Sequence, residues 1–391
     1  MSLDIDDFIG KDYPDIRESV RKICANFPGK YWTEIEDRDE YPYDFVRELT
    51  EAGFLAALIP EQYGGSGMPL RAACAIVEEI NASGCTAVAG LAQMYIMGTL
   101  LRHGSEVQKQ QYLPDIAAGR LRLQAFGVTE PTTGTDTTQL KTRATRKGDT
   151  YFINGQKVFT SRALQSDLML LLARTQPADQ VRKRSDGLSV FIVDMKHALQ
   201  NGMTIRKIET MISHQTTEIF FDNVPVPAEN MIGEEGKGFR YILDGLNSER
   251  ILVSATALGD ARFFLDRAVP YAKDRNVFNR PIGQNQGVQF PLARAYIAMK
   301  AAAVMSRTAA LLFDSGKNCG EEANIAKLMA SEASWQAAET AMQTFGGFSY
   351  AREYDIERKW RETRLFQIGP ISTNMILSYV GQHILGLPRS F

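Results

Sequence analysis

The sequence predicts an α+β fold in which a β-rich segment lies between two helical segments. Residues 1–120 and 233–391 carry apolar side chains at the three- and four-residue spacing of amphipathic helices. Residues 121–232 form short runs of strand length separated by Gly, Asn, Asp or Pro, a pattern typical of an antiparallel sheet or small β-barrel. A chain of 391 residues also suits two or three domains of about 150 residues each. We therefore predict a helical N-terminal domain (1–120), a middle β domain (121–232) and a C-terminal four-helix bundle (233–391).

Prolines, a cap and a glycine set the predicted helix ends in the first segment. Pro14 and Pro42 occupy positions typical of the first helical turn. Ser105 is placed to cap a helix that ends at Gly119. Two more apolar runs, predicted to be buried helices, are 70–82 and 86–101.

The other two segments divide into elements of typical length. The predicted strands are 150–153, 157–161, 168–173, 188–193, 203–208 and 218–221. The polar stretch 176–186 is predicted to be an exposed hairpin tip. The predicted helices are 237–275, 286–315, 321–344 and 371–385, with a break at 279–283.

Composition and missing motifs exclude several classes of function. A net charge of −2 and a C-terminal segment without a basic extension (386–391) argue against a nucleic-acid partner. No apolar run approaches the roughly 18 residues of a membrane span, and the acidic N-terminus lacks a basic-then-apolar signal. The four cysteines form no C-x-x-C pair, the histidines are scattered, and neither a P-loop nor a G-x-G-x-x-G follows a strand. We expect a soluble cytoplasmic protein without metal, nucleic acid or membrane insertion.

A loop rich in hydroxyl groups follows the first strand-like run. It reads F-G-V-T-E-P-T-T-G-T-D over 126–136 and offers backbone N–H groups, threonine hydroxyls and a carboxylate at close range. Gly134 can take a positive φ and allow the backbone to approach a ligand. From composition alone, an ordinary polar turn at the end of a strand is the favoured interpretation of this loop.

A glutamate interrupts the apolar stripe of the helix predicted over 237–275. The stripe consists of Phe239, Ile242, Leu246, Val253 and Ala257. Glu249 falls on the same face, so a carboxylate is predicted to be buried. Desolvation disfavours the charged form and prepares a carboxylate to take a proton near neutral pH. A paired structural glutamate, or a helix rotated to expose it, remains an alternative.

The loop at 126–136 resembles the flavin and substrate loop of the acyl-CoA dehydrogenase family, whose motif is T-E-P-x-x-G-[ST]-D. The resemblance continues through 141–149 and 151–157 and recurs near both ends, so it covers nearly the whole chain. It implies the three-domain architecture above, an FAD cofactor and the α,β-dehydrogenation of an acyl-CoA thioester to a trans-2-enoyl-CoA.

The resemblance also implies which residue is the base. The run L-N-S-E-R at 246–250 is similar to the helix that carries the catalytic glutamate in isovaleryl-CoA and long-chain-type members. Other members place that glutamate in a C-terminal Y-E-G-T motif. Here Gly369 stands at the tyrosine position and Pro370 at the glutamate position. Glu249 is thus the implied base, and Arg250 and Gly369 are the implied substrate contacts.

Pro370 also removes a donor. In the family, a ribityl hydroxyl and the backbone N–H at this position polarise the thioester carbonyl, and proline has no N–H. Another donor, weak turnover or an unusual substrate would each be compatible with this change.

The cofactor contacts follow from the same resemblance. The flavin ring is expected against Phe126, Val128 and Thr129, with Phe159 and Ser161 at the family's tryptophan and threonine positions. Gly134 and Thr135 follow on the loop, and Thr135 is expected to face the pantetheine of the substrate as well. The residues implied to hold the nucleotide part of FAD are Arg275, Phe278, Gln286, Gln343, Gly346, Gly347, Ser372 and Asn374.

One segment departs from the family pattern. The run at 210–217 replaces the usual G-x-R-x-S, so acyl specificity is expected to be unusual. We interpret His214 in this run as a surface or capping histidine, with a functional role as the alternative.

Several partners and alternative functions follow from the resemblance. In the family, nucleotide contacts cross a subunit interface, which implies a homo-oligomer, a dimer of dimers, and electron-transfer flavoprotein is the implied acceptor. An enoyl-CoA reductase, an acyl-CoA oxidase, or a flavin-binding relative without dehydrogenase activity are the alternatives on this fold.

Overall fold

The structure is a computed structural model that describes residues 10–389. The acidic N-terminal stretch discussed above, and the last two residues of the C-terminal segment, lie outside the described residues. Contacts divide the chain into two units. We call the first the helical unit (residues before Asp39, Pro69–Ala87, and those from Asn247 on) and the second the sheet unit (Asp39–Met68 and Val88–Leu246).

Helices dominate both ends of the chain. They are α1 (Pro14–Cys24), α2 (Gly29–Asp37), α3 (Tyr43–Glu51), α4 (Leu70–Ala82), α5 (Leu91–His103), α6 (Glu106–Ala117), α7 (Met195–Gln200), α8 (Gly238–Asp274), α9 (Gln286–Asp314), α10 (Gly320–Phe345), α11 (Ile356–Thr363) and α12 (Thr373–Tyr379).

Most of the helix ends predicted from prolines and capping residues agree with the structure. Pro14 opens α1, and Ser105 caps α6 through a reciprocal capping box with Gln108. Pro42 differs from the prediction, because it is the residue before α3 and not part of its first turn. Helix α11 was missed, since its eight residues are mostly charged and give little apolar periodicity.

The strands of the sheet unit build one eight-stranded sheet. They are β1 (Leu123–Gly127), β2 (Arg143–Lys147), β3 (Thr150–Ser161), β4 (Leu168–Arg174), β5 (Leu188–Asp194), β6 (Met203–Lys207), β7 (Thr216–Pro227) and β8 (Met231–Ile232); a separate hairpin pairs β9 (Asn276–Val277) with β10 (Arg280–Pro281). The order is β6-β7-β3-β2-β4-β5-β8, and β1 pairs with β4.

The sheet is mixed, so the prediction of an antiparallel sheet or barrel was wrong in part. Strand β1 runs parallel to β4, because the long connection between them, which contains β2 and β3, returns the chain in the same direction. The two predicted strands 150–153 and 157–161 form the single strand β3. Gly155, with φ +149°, allows this continuity at a shift in register, where a Cβ would lie 2.6 Å from the Cα of Thr142.

Strand β4 is buried on both faces. Leu168, Leu170 and Leu172 join one apolar cluster, and Met169 and Leu171 join another on the opposite face. This explains why the strand reads as a continuous apolar run and not as an alternating one. The sheet therefore has a rigid centre, and β1, which leads into the 126–136 loop, pairs directly with it.

A network of buried charges joins four helices of the helical unit. Arg17 of α1 donates to Glu79 of α4 at 3.0 Å, and Arg262 of α8 donates to Glu78 at 3.0 Å. Arg307 of α9 also pairs with Glu78. Burial alone would raise the pKa of Glu78, but Arg307, Arg17 and Arg262 overcome it and lower the pKa to about 2.

Helix α9 is, by length and composition, the one helix within residues 10–389 that could cross a membrane. Its interior Arg307 is buried against Glu78, and the helix packs on α10 and α4. These contacts pack one face of α9 against the rest of the helical unit.

Removing one partner from this network should destabilise the fold. We expect Glu78→Gln to cost about 3–5 kcal/mol of unfolding free energy, because three arginines lose a buried countercharge. Urea unfolding, followed by tryptophan fluorescence, measures it. Glu18→Gln is the matched control, since Glu18 forms only an exposed pair with Lys22. Equal midpoints for the two variants would contradict the role of the network.

Candidate active site

A buried ion pair holds the loop that follows β1. Glu130 accepts hydrogen bonds from the backbone N–H groups of Lys141 at 2.6 Å and Thr142 at 2.8 Å. Lys157 of β3 donates through Nζ to Glu130 Oε1 and to the carbonyl of Val128, both at 2.9 Å. Four points of the loop and its neighbouring strand are thus fixed around one carboxylate.

Burial and pairing shift both groups. Burial lowers the pKa of Lys157 to about 8, and Glu130 only partly offsets this. Burial would raise the pKa of Glu130, but Lys157 and the N–H donors lower it overall. This pair was not predicted from the sequence. The signal available was a glutamate in the loop and a lysine on an otherwise apolar stretch of strand.

The loop residues predicted to contact the flavin differ in how exposed they are. Phe126 and Val128 are half-buried and pack on the apolar cluster beneath the sheet. The backbone carbonyl of Thr129 accepts a hydrogen bond from the N–H of Val158 at 2.9 Å. Thr129 itself is half-buried. Gly134 and Thr135 are exposed.

Gly134 does not adopt the positive φ that the sequence allowed. A Cβ at this position would meet no atom within 4 Å. The packing of the chain itself therefore does not require glycine here, and open space lies over the loop.

Phe159 is held in an unusual conformation at a register shift in β3. Its side chain is 65% exposed and its φ is +56°, a region that non-glycine residues rarely occupy. Its neighbour Thr160 is buried, whereas Ser161 is partly exposed. Such local strain, with an aromatic ring turned outward, is typical of functional sites. It suits a flat ligand stacked on the ring.

In the helical unit, Glu249 lies on the buried face of α8. It is 5% exposed, which confirms the predicted placement and excludes the alternative of a rotated helix. The adjacent Arg250 is also buried, and its Nη1 donates to Asn247 Oδ1 at 2.9 Å. A carboxylate and a guanidinium are therefore buried side by side on one turn.

Lys327 of α10 adds a second cation to this cluster. It is 1% exposed, and its Nζ donates to the carbonyl of Ile371 at 2.6 Å. Burial and the like charge of Arg250 lower the pKa of Lys327 to about 8, against the opposing influence of Glu249. Lys327 thus connects the charged cluster to the segment that contains Gly369 and Pro370. Lys327 was not predicted as a site residue, because one lysine on a long helix carries no distinctive pattern.

The C-terminal motif is exposed and offers few donors. Pro370 is exposed, and Gly369 has open space around it. Ser372 has a structural role as well, since its hydroxyl caps α12 by accepting from the N–H of Met375. Asn374 is exposed on the first turn of α12.

A cavity of about 680 Å³ collects part of the predicted nucleotide site within the helical unit. Its lining residues are Tyr271, Arg275, Val277, Ile282, Thr344, Phe345, Gly346, Gly347, Phe348 and Ala351. Arg275, Gly346 and Gly347 are therefore brought together, as predicted. Gln343, Gln286, Ser372 and Asn374 are not among the lining residues.

The chemistry of this cavity suits a phosphate-bearing ligand. The Arg275 guanidinium lies 5.6 Å from the centre of the Phe348 ring. Its charge has no carboxylate partner in the described chain, so it can bind two phosphate oxygens. Phe278, at the tip of the β9–β10 hairpin, is 94% exposed with φ +54°. An aromatic ring presented so fully to solvent indicates a further contact surface.

Comparison with known proteins agrees with these features. Family models for the acyl-CoA dehydrogenase N-terminal, middle and C-terminal domains match residues 11–120, 125–224 and 236–385. The acyl-CoA dehydrogenase FadE12 of Mycobacterium tuberculosis is 35% identical over 379 residues, which cover 96% of each chain. The caffeyl-CoA reductase-Etf complex subunit CarC of Acetobacterium woodii is 33% identical and covers 91% of this chain and 94% of its own.

A solved structure gives the same result. Butyryl-CoA dehydrogenase from Megasphaera elsdenii superposes with a TM-score of 0.90 at 31% identity, covering 98% of this chain and 100% of that chain. The chain belongs to the acyl-CoA dehydrogenase family, an oxidoreductase family of flavoproteins.

The Glu130–Lys157 pair gives a first test of the site. Glu130→Gln should lower stability by about 3–5 kcal/mol, because Lys157 is left buried without a countercharge. It should also weaken flavin retention, because the amide nitrogen of glutamine cannot accept a backbone N–H bond of the kind that the carboxylate takes from Lys141 and Thr142. Thermal unfolding and the ratio of flavin to protein absorbance measure the two effects. Glu218→Gln, on β7 and bonded only to Gln156, should change neither; an equal effect would refute the pair's role.

Lys327 gives a second test through pH. Its folded pKa of about 8 lies below the ordinary 10.5, so between these values the unfolded chain binds a proton that the folded chain lacks. Wild-type stability should therefore rise with pH across this window relative to Lys327→Met. Melting temperatures of the two proteins at about pH 7 and pH 9.5 measure this. The exposed Lys317→Met is the control, and parallel pH curves for wild type and Lys327→Met would contradict the assignment.

Proposed function

We propose that this protein is an FAD-dependent acyl-CoA dehydrogenase that forms a trans-2-enoyl-CoA, with Glu249 as the base. The observation that carries the proposal is the buried carboxylate of Glu249 on α8, in a chain whose other family position for the base is Pro370. A buried carboxylate is costly unless it is paired or functional. Proline cannot take a proton, so Glu249 is the family-consistent base.

The residues present fit FAD. Arg275, Gly346 and Gly347 would hold the pyrophosphate and adenosine end in the cavity of the helical unit. Phe126, Val128, Thr129, Phe159 and Ser161 would hold the ring, with the exposed face of Phe159 as its stacking partner. A bound FAD would supply the acceptor for the β-hydrogen of the thioester, which leaves as hydride.

The protein's own groups prepare the proton transfer. Glu249 takes the α-proton, and burial excludes water that would compete for the carboxylate. Arg250 and Lys327 both interact electrostatically with Glu249 and are the cations buried beside it. Lys327 also holds the segment around Pro370 in place through its hydrogen bond to the Ile371 carbonyl. Because proline has no backbone N–H, this segment offers the thioester carbonyl one hydrogen-bond donor fewer.

The surface of the helical unit supports an oligomer. Phe290, Ile297 and Val304 recur every seven residues along α9 and are exposed. Such a stripe on a long helix is typical of a subunit contact. We propose a homo-oligomer, a dimer of dimers, that works in the cytoplasm and passes electrons to an electron-transfer flavoprotein.

A second candidate runs the reaction in reverse. The relative from Acetobacterium woodii is named as a subunit of a caffeyl-CoA reductase-Etf complex, and reduction of an enoyl-CoA would use the same residues with Glu249 as proton donor. The direction of flux with a supplied electron carrier separates the two.

Glu249→Gln tests the proposal. The variant should retain FAD but lose flavin reduction by acyl-CoA by about 10²–10⁴-fold, the usual contribution of a general base. Anaerobic stopped-flow absorbance measures the rate, and Glu321→Gln, an exposed carboxylate in the first turn of α10, is the control. Full-rate reduction in Glu249→Gln would remove Glu249 from the mechanism.

A further inference from the structure

A buried arginine without a countercharge follows directly after the predicted flavin position Ser161. Arg162 is 5% exposed, and its backbone N–H donates to the carbonyl of Gln215 at 2.8 Å. Its φ of +57° is unfavourable for a side chain of this size. The position is therefore held by its surroundings and not by local preference.

Half of the Arg162 guanidinium has no partner. Nη1 lies 3.3 Å from His214 Nε2. In the part of the chain that the structure describes, neither Nε nor Nη2 takes part in a hydrogen bond. The buried cations Lys157 and Arg307 are both paired with carboxylates; Arg162 forms no ion pair with any described residue. An unpaired buried charge costs several kcal/mol, which a ligand can recover.

The groups around Arg162 are neutral donors and acceptors. Tyr41 and Tyr95 are its electrostatic neighbours, and they only partly offset the burial that lowers the pKa of the guanidinium. Tyr41 donates to the carbonyl of Ala89 at 2.8 Å and accepts from Gln124 Nε2 at 3.1 Å. His214 is half-buried at this site, and its Nε2 lies 3.3 Å from Arg162 Nη1.

The free edge of the guanidinium selects the chemistry of the ligand. Nε and Nη2 lie on the same edge and donate in parallel, the geometry that matches the two oxygens of a carboxylate. Burial separates Arg162 from Phe159 and Ser161, which are more exposed. The free edge therefore suits a group on the substrate better than one on the flavin ring.

We infer that Arg162 binds a second carboxylate at the far end of the acyl group, so that the substrate is a CoA monothioester of a dicarboxylic acid. This rests on the proposed function, because it assumes that the acyl group reacts beside Ser161. The 210–217 segment, which departs from the family pattern, supplies His214 to the same site.

Binding and turnover test the inference separately. CoA thioethers that lack the reactive carbonyl, with alkyl or ω-carboxyalkyl chains of equal length, are titrated calorimetrically into the FAD-loaded protein. Wild type should bind the carboxylated chain more tightly by about 10–100-fold, the value of a charged hydrogen-bonded pair. Arg162→Met should lose that preference, and Arg162→Lys should retain part of it.

Controls distinguish the failure of this inference from the failure of the proposed function. Arg143→Met, on exposed β2, should keep the preference. Equal binding of both thioethers by wild type, or an unchanged preference in Arg162→Met, would overturn the inference. So would a loss of FAD in Arg162→Met, which would assign the guanidinium to the flavin. A preference for the carboxylated thioether without flavin reduction by any acyl-CoA would support the subsite and refute the dehydrogenase.

Discussion

The need to balance charge inside the protein organises both units. Glu78 and Glu79 are buried against three arginines contributed by α1, α8 and α9. Lys359 of α11 is likewise buried against Asp260 of α8 at 2.7 Å. Forming these pairs costs desolvation free energy, so they contribute little net stability. They favour this packing because any other packing would leave their charges buried without a partner.

The same constraint shapes the candidate active site. Glu130 and Lys157 pair with each other and hold the 126–136 loop against a sheet whose central strand is buried on both faces. Glu249 is buried with two cations, Arg250 and Lys327, so its cluster carries an excess of positive charge. Arg162 is buried without an ion-pair partner among residues 10–389. At the Glu249 cluster and at Arg162, the buried positive charge is therefore available to a ligand or to a charge that forms during a reaction.

The fold was largely predictable from sequence because its elements repeat a clear period. Helix α8 and strand β4 were predicted to within two residues, since a long stripe and a continuous apolar run are strong signals. The parallel pairing of β1 with β4 was not predicted. The relative direction of two strands depends on the connection between them and not on the residue pattern within each strand.

The site was predictable where one residue carried the signal. Glu249 stood out as a carboxylate on an apolar stripe, and the glycine pair at 346–347 as a turn near a ligand. The sequence did not predict a role for Lys327, Lys157 or Arg162. Their roles depend on partners that are distant in sequence or, for Arg162, on the lack of an ion-pair partner among the described residues.

The most direct test of the account is an anaerobic titration of the FAD-loaded wild-type protein with straight, branched, aromatic and dicarboxylic acyl-CoAs, followed by the visible flavin spectrum. The account predicts that at least one of them bleaches the bound flavin stoichiometrically and yields the enoyl-CoA. A flavin that binds but is reduced by none of these thioesters would contradict dehydrogenation as the function of this chain.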